Sequence, residues 1–209
     1  MITNVISDSI RQVASADFPT RWGRFRILGF ERDLDQGGWG RRESAVVLIM
    51  GNVKSALPLL RIHSQCLTGD TLGSLRCDCG EQLRMAFSMI ASEGVGVVIY
   101  ESQEGRGIGL MAKLQAYELQ DDGCDTVEAN DRLGFKSDYR DFSFPAEILR
   151  KFGVKKVRLL TNNPAKVAAL ERAGIGVVER VPCEVAPNGH AAKYLRTKKE
   201  KLGHFLTML

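Results

Sequence analysis

The chain has no apolar run long enough to cross a membrane. Its longest, such as AVVLIM at residues 45–50, are strand-sized. The opening stretch, MITNVISDSIRQVASADFP, carries no apolar segment of signal-peptide length. A dominant charge is missing too. Lys and Arg number 29 against 25 Asp and Glu, a formal net charge of +4. That is far from the basic stripe of a nucleic-acid binder and compatible with a small anionic substrate. Cysteine is scarce, odd in number at five and unevenly spaced, which argues against a secreted disulfide framework. The expectation is a cytoplasmic protein with no membrane and no nucleic-acid partner, in a compartment where clustered thiols stay reduced and bind metal. Hydrophobic residues at 44% and charged residues at 26% are ordinary for a globular chain, and 209 residues bury a core without disulfides.

What is present first is an alternation of elements. Val-, Ile- and Leu-rich runs recur at RFRILGF (24–30), AVVLIM (45–50), LPLLRIH (57–63), VGVVIY (95–100), KVRLLT (156–161) and IGVVERV (175–181). Each is bounded by turn-forming residues and reads as a strand. EQLRMAFSMIASEG, GIGLMAKLQAYELQDDG and TNNPAKVAALERAG place apolar residues at helical intervals and end on glycine; in the last, Asn163 reads as the N-cap and Pro164 as the first helical residue. This order predicts a single α/β domain with a mixed, largely parallel sheet flanked by helices. Residues 31–44, rich in charge and glycine, read as a hairpin loop, and residues 185–194 as a second loop. The densest basic segment, KYLRTKKEKLGHF, mixes charge with apolar residues at helical spacing and reads as a solvated helix face.

Sulfur is concentrated in one place. Cys66, Cys77 and Cys79 fall within RIHSQCLTGDTLGSLRCDCGEQL as C-x10-C-x-C. Three thiolates with no fourth cysteine nearby leave one tetrahedral position of a zinc ion open, which is the arrangement of a catalytic site. The alternative, three cysteines filling a core, fits poorly with polar, glycine-rich surroundings. Asp70, Arg76 and Asp78 are candidates for substrate contacts or for holding the ligands.

Three more segments concentrate polar chemistry. SQEGRGIGL (102–110) puts glycines between a strand and a helix, where backbone N–H groups can hold phosphate; no Walker G-K-[ST] follows. DTVEANDRLGFKSDYRDF (125–142) reads as a polar loop without clean periodicity. In LLTNNPAKV, Thr161 and Lys166 lie beyond the carboxyl end of a strand, where α/β sheets bind ligands.

Together RIHSQCLTGDTLGSLRCDCGEQL, QEGRGIGL, KLQAYELQDDGCDTVEANDRLGF, DYRDF, RLLTNNPAKV and YLRTKKEKLGH resemble the GTP cyclohydrolase II family. The resemblance implies an N-terminal extension at residues 1–17 and a catalytic domain at 18–209. It implies a zinc hydrolase that opens the guanine imidazole ring of GTP, releasing formate and pyrophosphate and leaving a diamino-ribosylamino-pyrimidinone monophosphate. That product supplies riboflavin synthesis, or a toxoflavin-like azapteridine pathway. One zinc per chain at Cys66, Cys77 and Cys79, magnesium with the triphosphate, and a homodimer are implied with it. So are GTP contacts from Arg61, Ile62, His63, Ser64, Gln65, Gln82, Glu104, Gly105, Arg106, Thr126, Thr161 and Lys166. Asp138 matches the family's proton acceptor, Arg140 its proposed nucleophile toward the α-phosphate, and Tyr117 a tyrosine beside the zinc water. Three positions depart from the pattern: Gln65 stands where the family usually has Glu, and Glu101 and Ser102 where it usually has a Leu-Arg or similar pair. The departures keep a second reading open: a related nucleotide-binding protein without full cyclohydrolase activity, or one acting on another nucleobase.

Overall fold

The computed structural model describes residues 10–34, 42–186, 189 and 191–208. Its centre is a seven-stranded sheet: β1 (Ile10–Thr20), β2 (Gly23–Asp33), β3 (Arg42–Met50), β4 (Leu59–Ser64), β5 (Gly96–Glu101), β6 (Lys156–Leu160) and β7 (Gly176–Val181). The spatial order is β1-β2-β3-β5-β4-β6-β7. β1, β2, β3 and β5 pair antiparallel in succession, and β5, β4, β6 and β7 pair parallel. The single α/β domain and mixed sheet expected from the sequence are present. β2 and β3 form the expected hairpin, paired as far as Asp33 and Arg42; residues 35–41 of its loop lie outside the described residues.

The helices are α1 (Leu67–Asp70), α2 (Cys79–Glu93), α3 (Leu110–Asp121), α4 (Thr126–Arg132), α5 (Ser143–Lys151), α6 (Pro164–Arg172) and α7 (Ala192–Leu202). Side chains alternate faces along each strand, so one strand feeds two cores. Val97 and Ile99 of β5 and Leu60 and Ile62 of β4 pack with Phe144, Ile148 and Leu149 of α5 and Leu170 of α6. On the opposite face, Leu59 and Val98 pack with Ala86, Phe87 and Ile90 of α2. β4 is buried on both faces, yet it carries Arg61 and His63 on the α2 side. Buried charge in a central strand is costly unless partnered, and marks a strand that serves a site.

Two elements differ from the sequence reading. β1 is a full strand although its side chains from Arg11 to Pro19 are exposed. It gives no apolar alternation because neither face is covered. β1 crosses residues 17–18, the boundary implied for the extension, while residues 1–9 lie outside the described residues. The polar loop read at 125–142 contains α4. The Asp125 side chain accepts from the Val127 and Glu128 amides, and the Glu128 side chain accepts from the Asp125 amide, a capping box that starts a helix of only seven residues.

β4 connects through α2 to β5 on one side, while the chain returns from β5 to β6 on the other. This strand-order switch opens a crevice at the carboxyl ends of β4, β5 and β6, the place where an α/β sheet binds its ligand.

Candidate active site

One pocket occupies that crevice. It is lined by Arg61, His63, Ser64, Gln65, Cys66, Cys77, Cys79, Gln82, Glu104, Gly105, Arg106, Tyr117, Thr126, Arg140, Thr161 and Lys166. Of the site residues singled out from the sequence, Ile62, Asp70, Asp78 and Asp138 are not on its wall. Ile62 is fully buried in the core, and what it offers the site is its carbonyl oxygen, which accepts from Lys166 Nζ at 2.8 Å. Asp138 stands behind Arg140, accepting from its Nε at 2.9 Å and from its Nη2 at 2.5 Å.

Cys66 follows β4, and Cys77 and Cys79 bracket the start of α2, so two adjacent elements deliver the thiols. The three Sγ atoms lie within 4.8 Å of one another, with Cys66 and Cys77 at 3.7 Å. Two glycines make this approach possible. A Cβ on Gly69 would stand 2.9 Å from Cys77 Sγ and 3.2 Å from Cys66 Sγ, and one on Gly80 would stand 2.2 Å from the Gly69 carbonyl oxygen. The cluster is a donor set that fits a metal ion. The thiols titrate as a unit. Hydrogen bonds from Cys77 and Cys79 lower the Cys66 pKa, aided by the Lys113 ammonium against the opposing effect of burial. The same bonding to Cys66 raises Cys77 to about 11 and raises Cys79 as well.

The Cys66 turn is held by Asp70. Its carboxylate accepts from the Cys66 amide at 3.0 Å, the Tyr100 hydroxyl at 2.8 Å and His63 Nε2 at 3.1 Å. Arg61 can only donate, and it faces His63 Nδ1 at 3.4 Å, so the neutral ring carries its proton on Nε2. Burial keeps that ring neutral by lowering its pKa. Arg61 also donates to Gln82 Oε1 at 2.7 Å, and Gln82 donates to Asp78 at 2.5 Å. Asp78, between the two cysteines, completes the chain with Lys198 Nζ at 2.8 Å.

Lys113 is a site residue that motif reading missed. Its ammonium donates to Cys66 Sγ at 3.2 Å, Thr68 Oγ1 at 3.0 Å and Glu104 Oε1 at 2.7 Å. Thr68 Oγ1 in turn lies 3.2 Å from the Tyr117 hydroxyl, and burial raises the Tyr117 pKa, so the phenol is neutral. Lys113 and Tyr117 are four apart on α3 and share a face; that spacing was the available signal.

Further basic side chains line the pocket. Lys166 is buried, and its pKa is lowered by desolvation and by the neighbouring Arg61 and Arg140 charges. Asp138 raises the Arg140 pKa although burial opposes it, and Arg140 lowers that of Asp138 in return. Arg106 is the one non-glycine residue among those described with positive φ, at 61°, next to Gly105 at 62°. Such backbone strain is concentrated at ligand sites. The basic terminal segment is helical as expected but not wholly solvated: in α7, Leu195, Thr197 and Lys198 are buried, and Tyr194 and Lys198 reach the pocket. Two of the departures are neighbours, since the Gln65 amide donates to the Glu101 carbonyl at 2.8 Å. The Glu101 side chain is fully buried, and burial pushes its pKa up to about 8.

A thiol triad able to hold a metal ion, in a crevice also lined by basic side chains, is the arrangement of an enzyme site. The family model of GTP cyclohydrolase II matches residues 11–182. The chain is 54% identical to a GTP cyclohydrolase-2 of Buchnera aphidicola subsp. Schizaphis graminum, over 93% of this chain and 97% of that protein. It is 52% identical to a GTP cyclohydrolase-2 of Actinobacillus succinogenes, over 94% and 88%. It is also 50% identical to the riboflavin biosynthesis protein RibBA of Chlorobium phaeovibrioides, over 96% of this chain but 48% of that longer protein. The chain belongs to the GTP cyclohydrolase II family. No helix among the described residues is long and apolar enough to cross a membrane.

Proposed function

We propose that the chain opens the guanine imidazole ring of GTP, releasing formate and pyrophosphate and leaving a diamino-ribosylamino-pyrimidinone monophosphate for riboflavin synthesis. The observation that carries this reading is one pocket lined by the thiol triad together with Arg106, Arg140 and Lys166. A purine base to be opened and a polyphosphate ask for those two chemistries.

Zinc is the metal that the triad fits. Thiolates held tetrahedrally at about 2.3 Å from zinc stand about 3.8 Å apart, and the Cys66–Cys77 distance is 3.7 Å. Zinc bound there supplies a Lewis acid and activates water near neutral pH. The surrounding side chains do the rest. Lys113 donates to Cys66 Sγ and holds Glu104 and Thr68 in place. Tyr117, neutral and bonded to Thr68, offers a hydroxyl to an oxygen on which charge develops during deformylation. Lys166 and Arg140, in the same pocket, offset phosphate charge, with magnesium on the triphosphate. The strong Asp138 pairing favours Arg140 as a charge clamp on the α-phosphate, because attack by a guanidinium needs a deprotonated form that this pairing disfavours. A homodimer fits an exposed edge strand β1 bearing Val13 and Phe18, and a reducing cytoplasm fits reduced thiols at the site.

The test is formate and pyrophosphate release from GTP with zinc and magnesium. Cys77→Ser should lose bound zinc and formate release together, since a neutral hydroxyl replaces a thiolate. Zinc content equal to the parent's in that variant sinks the metal assignment, and no formate from the parent sinks the reaction.

A further inference from the structure

The family match ends at residue 182, but the wall of the pocket continues beyond it. Tyr194 and Lys198 of α7, then His204 and Leu206, line the same space. This last stretch is tied down at several points. Lys198 pairs with Asp78 at 2.8 Å. The Phe205 amide donates to the Asn162 carbonyl at 2.9 Å, and the Arg180 guanidinium lies 4.9 Å from the Phe205 ring centre. The Thr207 and Met208 amides donate to the Glu184 carboxylate at 2.8 and 3.0 Å. Leu206 is buried against Ala191 and Leu195. Gly203, at φ +64°, closes α7 and turns the chain so that the His204 amide bonds back to the Lys198 carbonyl at 3.0 Å. His204 is thus held between two anchors, facing inward.

Its Nδ1 is buried and has no hydrogen-bond partner among the described residues. A buried polar atom without a partner calls for one from a ligand or water. Four basic side chains line the same pocket as the ring, from four elements: Lys198 from α7, Arg106 from the turn after β5, Arg140 from the segment before α5, and Lys166 from α6. As cations all four can only donate. A lone pair on Nδ1 would share the pocket with four donors, yet it bonds none of them. An N–H on Nδ1 has no acceptor among them. The partner that suits both the imidazole and the four cations is an anion.

We propose that His204 is a ligand-contacting residue of this site, donating its Nδ1–H to a phosphate oxygen of the bound nucleotide in the space enclosed by Lys166, Arg140, Arg106 and Lys198. The proposal rests on the nucleotide reading above. Burial, then the charges of Lys198, Arg106, Arg140 and Lys166, hold the ring neutral by lowering its pKa to about 3. It therefore adds a donor among cations without adding to their repulsion. The C-terminal stretch becomes part of the binding site rather than a trailing surface helix.

Calorimetric titration of the full chain with inorganic tripolyphosphate and with guanosine tests this without turnover. His204→Phe keeps a ring of similar shape and removes the donor; His204→Gln restores a donor. Tripolyphosphate affinity should fall about tenfold in His204→Phe, the scale of a hydrogen bond to a charged group. It should return to within about threefold of the parent in His204→Gln. Guanosine affinity should not move. Unchanged tripolyphosphate affinity in His204→Phe, equal loss of both probes, or a parent that does not bind tripolyphosphate overturns the proposal. Formate release from GTP by the parent is scored separately, so failure of the cyclohydrolase reading and failure of the His204 contact give different results.

Discussion

The Asp78 carboxylate and the Lys198 ammonium meet at 2.8 Å, both side chains buried, across 120 residues of sequence. The pair joins the turn that carries Cys77 and Cys79 to the C-terminal helix. Removing one partner of a buried ion pair leaves the other charged and unpaired.

Lys198→Met should therefore destabilise the fold by about 3–5 kcal/mol. For a chain of this length that lowers the melting temperature by roughly 6–20 °C. Adding Asp78→Asn to Lys198→Met should recover most of the loss, because no uncompensated charge remains. Thermal unfolding of the two variants checks it. A loss in the double variant equal to that in the single one would show that the cost lies in packing.

Glu101 gives a prediction in pH. Its folded pKa is pushed up to about 8 from an ordinary value of 4.5, first by burial and further by Glu43 and Asp141, against the pull of Lys166 and Arg140. Between those values the folded state holds a proton that the unfolded state has lost, so stability falls as pH rises. Below about pH 4.5 both states are protonated and the penalty vanishes. Glu101→Gln, which mimics the protonated form, should melt with the parent near pH 4. It should melt progressively higher than the parent as pH rises toward 8. Melting curves across that range check it; a difference that does not depend on pH would mean that Glu101 is ionised in the fold.

The cysteine triad was legible because metal ligation imposes local spacing on Cys77 and Cys79, with Cys66 eleven residues before Cys77. The other six strands were legible because Val, Ile and Leu recur in them, even in the largely exposed edge strand β7. β1 was not, since IRQVASADFPT presents polar side chains on faces that nothing covers. α4 could have been read from Asp125 and Glu128, whose three-residue spacing is that of a capping box. Lys113, Lys198 and His204 fall within blocks that carry the resemblance, but nothing in those blocks assigns them a part in the site. Their roles come from tertiary packing, which brings α3 and α7 over a turn up to 120 residues away.

Tyr117 separates chemistry from packing. Its hydroxyl lies 3.2 Å from Thr68 Oγ1, while the Arg76 guanidinium lies 4.7 Å from the centre of its ring. Tyr117→Phe keeps the ring contact and removes only the hydroxyl. Formate release should slow about a hundredfold, the scale of one lost donor to a developing charge. Pyrophosphate release should slow much less. Stopped-time assays of both products check it; equal slowing of both would assign Tyr117 a packing role.

Arg140 distinguishes the two accounts of the phosphate step. Asp138 grips its guanidinium along Nε and Nη2 at 2.9 and 2.5 Å, which keeps it charged and fixes its plane. A clamp needs that charge and plane. A covalent nucleophile needs a proton removed, and the Asp138 pairing raises the Arg140 pKa instead. If Arg140 is a clamp, Arg140→Ala should raise KM for GTP by about tenfold or more and keep measurable turnover at saturating substrate. Arg140→Lys should recover part of the affinity, because lysine restores the charge but not the planar fork. If Arg140 is a nucleophile, both variants should abolish pyrophosphate and formate release at any GTP concentration. Intact-mass measurement after mixing GTP with Cys77→Ser adds an independent readout. A clamp predicts no guanylyl adduct on the chain, and an adduct that disappears with Arg140→Ala would overturn the clamp in favour of covalent catalysis.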